Sequence, residues 1–157
     1  RQKLAFIGDG HNMANSLLFV GSKLGIHTTV ASPKGYEPHP AVVRLAQEAA
    51  RESGAEIVIT DDPRQAASGA DVVYTDVWTS MGQEAEKAER EKQFRPYQVN
   101  DRLLSGAATD AIVLHCLPAH RGEEITDEVI DGPHSVVYDE AENRLHAQRA
   151  ILAHFMK

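Results

Sequence analysis

Four short segments of the chain hold residue types whose spacing suits chemistry. In Asp76-Val77-Trp78-Thr79-Ser80-Met81-Gly82 an acid is followed by hydroxyl groups and a glycine. A carboxylate there can hold an ammonium while hydroxyl and backbone N–H groups hold a carboxylate, the two charges that a free amino acid presents. The competing reading makes Ser80 a helix cap with Gln83 three residues on, a capping box. His115-Cys116-Leu117-Pro118 sets the chain's lone thiol beside a proline and ahead of His120 and Arg121. A lone cysteine is ordinarily a buried, inert one, but this placement at a strand end favours a working thiol. The Leu117-Pro118 bond is a candidate cis peptide that would turn the Leu117 carbonyl into the site. In Asp139-Glu140-Ala141-Glu142-Asn143-Arg144-Leu145-His146 the acids suit the first turn of a helix. Arg144 then lies near the sheet edge as a donor to an acyl oxygen or phosphate, or else pairs with the flanking acids at the surface.

The fourth segment, Gly8-Asp9-Gly10-His11-Asn12, is a glycine turn that could offer backbone N–H groups to an anion. It is not a dinucleotide fingerprint. The third glycine would fall at Met13, and Val30-Ala31-Ser32 stands where a ribose-binding acid is required. Asn12 reads equally as a ligand-facing side chain and as a helix cap.

These segments need elements to position them. Leu4–Ile7, His27–Ala31, Glu56–Thr60, Asp71–Thr75, Ala111–His115 and Ser135–Tyr138 read as strands. Helical periodicity covers Asn12–Leu24 and Ala41–Ser53, the latter stopped by Gly54, and a short helix fits Pro63–Ser68. The helix expected over Gln83–Phe94 has only Ala85, Ala88 and Phe94 as apolar positions, which fits a weakly anchored lid behind the substrate loop and equally a solvated surface helix. Strands alternating with helices imply right-handed crossovers and a three-layer α/β/α domain: a mostly parallel, Rossmann-like sheet with helices on both faces. The two longest irregular stretches, Asp76–Gly82 and Cys116–Glu124, follow strand carboxyl ends, where open α/β sheets bind ligands.

Composition narrows the function. The 157 residues fit one domain, 1–157, able to bury roughly two-thirds of the surface of its unfolded chain. A formal charge of -7 argues against a nucleic-acid partner. Apolar runs such as Leu17-Leu18-Phe19-Val20 fall far short of the ~20 residues of a membrane span. The single cysteine excludes an internal disulfide and fits a reducing compartment, so a cytoplasmic location is expected. The eight histidines show no zinc-site spacing, and neither metal nor cofactor is expected. The start at Arg1, leading directly into an apolar strand, suggests a segment of something longer.

Taken together, the order of Gly-Asp-Gly-x-Asn, Asp-x-x-x-Ser-Met-Gly, His-Cys-Leu-Pro and Asp-Glu-Ala-Glu-Asn-Arg resembles the ornithine carbamoyltransferase family over essentially the whole chain. The resemblance implies the carboxyl-terminal, ornithine-binding half of a two-domain enzyme. That enzyme joins carbamoyl phosphate to the side-chain amine of L-ornithine, giving citrulline and phosphate, and forms trimers when intact. By the same likeness Asn12, Asp76, Ser80 and Met81 would hold ornithine, and Cys116 would face the reacting amine. Cys116, Leu117 and Arg144 would touch carbamoyl phosphate. The family commonly has Asn-Asn and then His three residues later, where this chain has His11-Asn12 and Asn15. An alkyl amine of pKa ~10.4 must lose a proton before it attacks, and Cys116 and Asp76 are the groups available to take or steer it. Cys116 is the expected acceptor and Asp76 the expected holder of the α-amine. The family's phosphate-binding Ser-Thr-Arg loop belongs to the amino-terminal domain and is missing here, so the chain alone is expected to be inert. Alternatives are a carbamoyltransferase for aspartate, putrescine or an acylated ornithine, a non-catalytic nucleotide-binding module, and a purely structural interaction domain.

Overall fold

In the computed structural model, which describes residues 2–79 and 84–156, every strand of the sheet is parallel to its neighbours. In chain order the elements are β1 (Lys3–Ile7), α1 (Met13–Leu24), β2 (His27–Ala31), α2 (Pro40–Ser53), β3 (Ile57–Thr60), α3 (Pro63–Ala67) and β4 (Val72–Thr75). They continue as α4 (Lys87–Phe94), α5 (Asp101–Leu104), β5 (Ile112–His115), α6 (Asp127–Ile130) and α7 (Val137–Phe155).

Alternation along β1 explains the layers. Leu4 and Phe6 face a core shared with Ala14, Leu18, Ala46 and Ala50 of α1 and α2. Ala5 and Ile7 face a second core with Ala66, Ala67, Leu103, Val129 and Val137, contributed by α3, α5, α6 and α7. A strand buried on both faces reads as an unbroken apolar run, which is what Leu4-Ala5-Phe6-Ile7 is. The expected three-layer α/β/α architecture is therefore present.

The strand order is β3-β2-β1-β4-β5. After β1 the chain winds outward through β2 and β3, then returns to place β4 on the other side of β1. The loops leaving β1 and β4 thus diverge, and the crevice between them is the topological switch point at which such sheets take ligands. Local chemistry sets the helix ends. Asp62 caps α3 by accepting from Arg64 N and Gln65 N, and Pro40 opens α2 while His39 Nδ1 accepts from Ala41 N. Gly10 lets two loops touch: a Cβ there would lie 2.3 Å from Pro38 N. That glycine serves loop packing.

Two expectations are corrected. Ser135–Tyr138 does not form a sixth strand; Ser135 makes a single parallel bridge to Val113, and α7 begins at Val137. The β-branched pair Val136-Val137 favours extended backbone locally. Burial of Val137, however, and the acids Asp139 and Glu140 in the first turn favour the helix from that point. The weak anchoring expected of Gln83–Phe94 is also overturned. Arg90 is only 2% exposed and Phe94 is fully buried. The Arg90 guanidinium pairs with Asp9, donates from Nε to Trp78 O at 2.6 Å, and stacks over Tyr36 and Phe94 at 4.8 and 5.0 Å. A charged residue is thus the anchor of α4. Gln83 lies outside the described residues.

Candidate active site

The register of the sheet assembles the site. Ile7 pairs with Thr75, and Thr75 with His115, so the last residues of β1, β4 and β5 form one row. The next residues along each strand, beginning at Gly8, Asp76 and Cys116, therefore leave the sheet side by side. Thr75 Oγ1 fastens two of the tips by donating to Ile7 O at 2.7 Å.

Asp76 and Cys116 meet directly, the thiol donating to Asp76 Oδ1 at 3.1 Å. The same carboxylate oxygen accepts from Val77 N at 2.7 Å, which fixes its orientation. Cys116 is half-buried, and its pKa is pushed up to about 12, first by burial, then by the hydrogen bond to Asp76 and the charges of Asp76 and Glu140. At neutral pH the thiol keeps its proton.

A cavity of about 390 Å³ opens beside Cys116, lined by Met13, His115, Cys116, Glu140, Ala141 and Arg144. Arg144 is exposed, and among the described residues it has no ion-pair partner. Its cationic head is thus available to an anion, and the surface-pair reading of this residue is set aside. A larger cleft of about 500 Å³, lined by Trp78, Glu91, Lys92 and Arg95 among others, holds mixed charges and no thiol.

The sequence-predicted residues fall into place unequally. Asp76, Cys116, Leu117 and Arg144 surround one edge of the sheet. Asn12 sits at the start of α1, next to the cavity-lining Met13. Its side chain makes no capping bond and is exposed, and its backbone holds a positive φ of 41°. Positive φ is costly for a residue with a side chain and collects at functional loops. Ser80 and Met81 lie outside the described residues. The Leu117-Pro118 bond is cis, and Leu117 has φ 54°.

Three supporting groups had escaped the sequence reading as site residues. Glu140, one helical turn before Arg144, accepts from Tyr74 Oη at 2.5 Å and from His115 N at 3.0 Å. It ties α7 to the end of β5, and with burial it holds the Tyr74 phenol protonated by pushing its pKa up. His115 Nδ1 accepts from Leu117 N at 2.9 Å, so its hydrogen sits on Nε2 and is donated to Glu124 Oε1 at 3.0 Å. Both ring nitrogens are used, which removes His115 as a metal ligand beside Asp76 and Cys116. No local signal marks Glu124, whose partner is nine residues away and in another element.

The fold and site define a parallel α/β domain that gathers an acid, a thiol and an arginine at its switch-point edge. The chain belongs to the aspartate/ornithine carbamoyltransferase family: residues 1–155 match its aspartate/ornithine-binding domain. Among curated relatives, it is 61% identical to the ornithine carbamoyltransferase of Halalkalibacterium halodurans over 151 residues, 96% of this chain and 47% of the relative. It is 58% identical to that of Thermococcus kodakarensis, covering 96% of this chain and 48% of the relative. Among solved structures, the ornithine carbamoyltransferase of Pyrococcus furiosus superposes with a TM-score of 0.93 at 56% identity, over 97% of this chain and 49% of that one. The Gloeobacter violaceus enzyme gives 0.92 at 54%, over 99% and 52%. The chain thus spans about half the length of the curated relatives it matches.

Proposed function

We propose that this chain is the ornithine-binding half of an ornithine carbamoyltransferase, working with a separate carbamoyl-phosphate-binding domain within a trimer. The observation that carries this reading is the Asp76–Cys116 contact at the sheet edge, with Arg144 across the same cavity. Asn12, Asp76, Ser80 and Met81 hold the amino-acid end of ornithine, and the side-chain amine reaches toward Cys116. Arg144 and the Leu117 carbonyl fix the carbamoyl group, so that charge developing on its oxygen meets a preset donor.

The direct contact between Cys116 and Asp76 supports a shared role for them in handling the proton of the reacting amine. Cys116 keeps Asp76 oriented, and the pair steers away the proton that the substrate ammonium must lose. The freed lone pair forms the new bond to the carbamoyl carbon, while the bond to phosphate breaks and its electron pair leaves with phosphate. Asp76 also supports a free α-amine on the acceptor, which favours ornithine over an acylated ornithine or putrescine.

No phosphate-clamping loop occurs among these residues, so turnover requires the complementary domain. A citrulline assay with both substrates tests the reading. The chain alone gives no product, and adding the carbamoyl-phosphate-binding half of a relative restores it. Citrulline formed by the chain alone, or carbamoylation of aspartate in preference to ornithine by the pair, contradicts the reading.

A further inference from the structure

The loop behind Cys116 folds back on itself. Gly122, at φ 81°, accommodates the turn, with Glu123 N donating to His120 O at 3.0 Å and Gly122 N to Ile125 O at 2.8 Å. This brings three metal-ligating side chains together, with His120 Nδ1 3.8 Å from Glu123 Oε2 and 3.9 Å from Glu124 Oε2. One ligand atom from each lies within 4.8 Å of the others.

Glu124 supplies the decisive observation. Its side chain is fully buried, and Oε2 has no hydrogen-bond partner, although Oε1 accepts from both His115 Nε2 and His120 N. A buried carboxylate oxygen without a donor is costly. This one lies 3.9 Å from the His120 imidazole, with the Glu123 carboxylate in the same cluster. Lys87 of α4 holds the other oxygen of Glu123, Oε1, at 2.9 Å, leaving Oε2 free to face inward.

We propose that His120, Glu123 and Glu124 form a binding site for a divalent transition cation of the zinc class, separate from the Asp76–Cys116 pocket. One nitrogen and two carboxylate oxygens, with water completing the set, match zinc's tetrahedral preferences. Bonds of about 2.0–2.2 Å set tetrahedral ligands about 3.4 Å apart, and the His120 separations of 3.8 and 3.9 Å need only a small contraction by the partly exposed His120 and Glu123. The bonds that Oε1 of Glu124 accepts are the outer support that metal-bound carboxylates use. The cation would tie the loop to α4 through Glu123–Lys87, and to the cysteine loop through Glu124–His115.

Cobalt(II), titrated into the chain and followed by visible absorption, with zinc as competitor, tests the site. We expect one equivalent bound with a tetrahedral spectrum lacking a thiolate charge-transfer band. His120→Ala or Glu123→Gln should each weaken binding about tenfold or more, and Cys116→Ser should leave it unchanged. Both substituted side chains are partly exposed, so the variants keep the fold, which circular dichroism checks. Absence of binding at millimolar metal, or binding lost in Cys116→Ser and kept in His120→Ala, overturns the proposal.

Discussion

The thiol of Cys116 is shielded, surrounded by negative charge, and engaged as a donor to Asp76. An alkylating reagent needs the thiolate, so modification at pH 8 should be slow and should accelerate with a midpoint near about 12. Asp76→Asn removes one charge and the charge-assisted bond while burial and Glu140 remain. The midpoint should fall toward the ordinary value, with the rate at pH 8 rising about tenfold for each unit of the fall. A rate unchanged in Asp76→Asn would contradict the pairing. The same group has a signature in stability. Its folded pKa lies above the unfolded value of 9.0, so its contribution is fully present below pH 9 and is lost as pH rises toward about 12. Urea midpoints for the parent and Cys116→Ser should therefore converge with rising pH across that window. What could be read from sequence at this scale was the identity of the reactive types: Asp76, Cys116 and Arg144 stood out by position and chemistry. Their pairing could not be read, because it depends on a contact across 40 residues and on burial that no local pattern reports.

At the scale of elements, α4 is held by the buried Arg90 together with the buried Phe94. Arg90→Ala would leave Asp9 buried without its partner, and removing one member of such a pair costs about 3–5 kcal/mol. Arg90→Lys keeps the charge but loses the planar fork and the stacking on Tyr36 and Phe94. Its cost should be smaller, about 1–2 kcal/mol. Chemical denaturation of both variants gives the order, and an Arg90→Ala protein as stable as the parent would show that α4 is not anchored this way. Strands such as Leu4–Ile7 were legible as short apolar runs closed by glycine or an acid, and α2 because Gly54 stops it. The anchor of α4 was not. A charged side chain in a polar helix reads as solvated, and its partner Asp9 is 81 residues distant. Ser135–Tyr138 misled for the opposite reason, since strong strand-forming side chains there serve the first turn of α7.

For the molecule as a whole, the parallel order β3-β2-β1-β4-β5 makes a ligand edge out of residues far apart in sequence. Four segments separated by long stretches of chain predicted such an edge, and the Ile7–Thr75–His115 row supplies it for three of them. α7 brings Arg144 from the fourth. About half of the relatives' length lies beyond these residues. No helix among the described residues is long and apolar enough to cross a membrane. The central claim is that this edge recognises a free amino acid with an amine-bearing side chain. Amide shifts of the isotopically labelled chain, titrated with L-norvaline, an ornithine lacking the reactive amine, test it most directly. The account predicts saturable shifts centred on Asn12, Asp76, Cys116 and Leu117 at millimolar ligand; shifts centred on the amino-terminal edge of the sheet, or none at all, would contradict it.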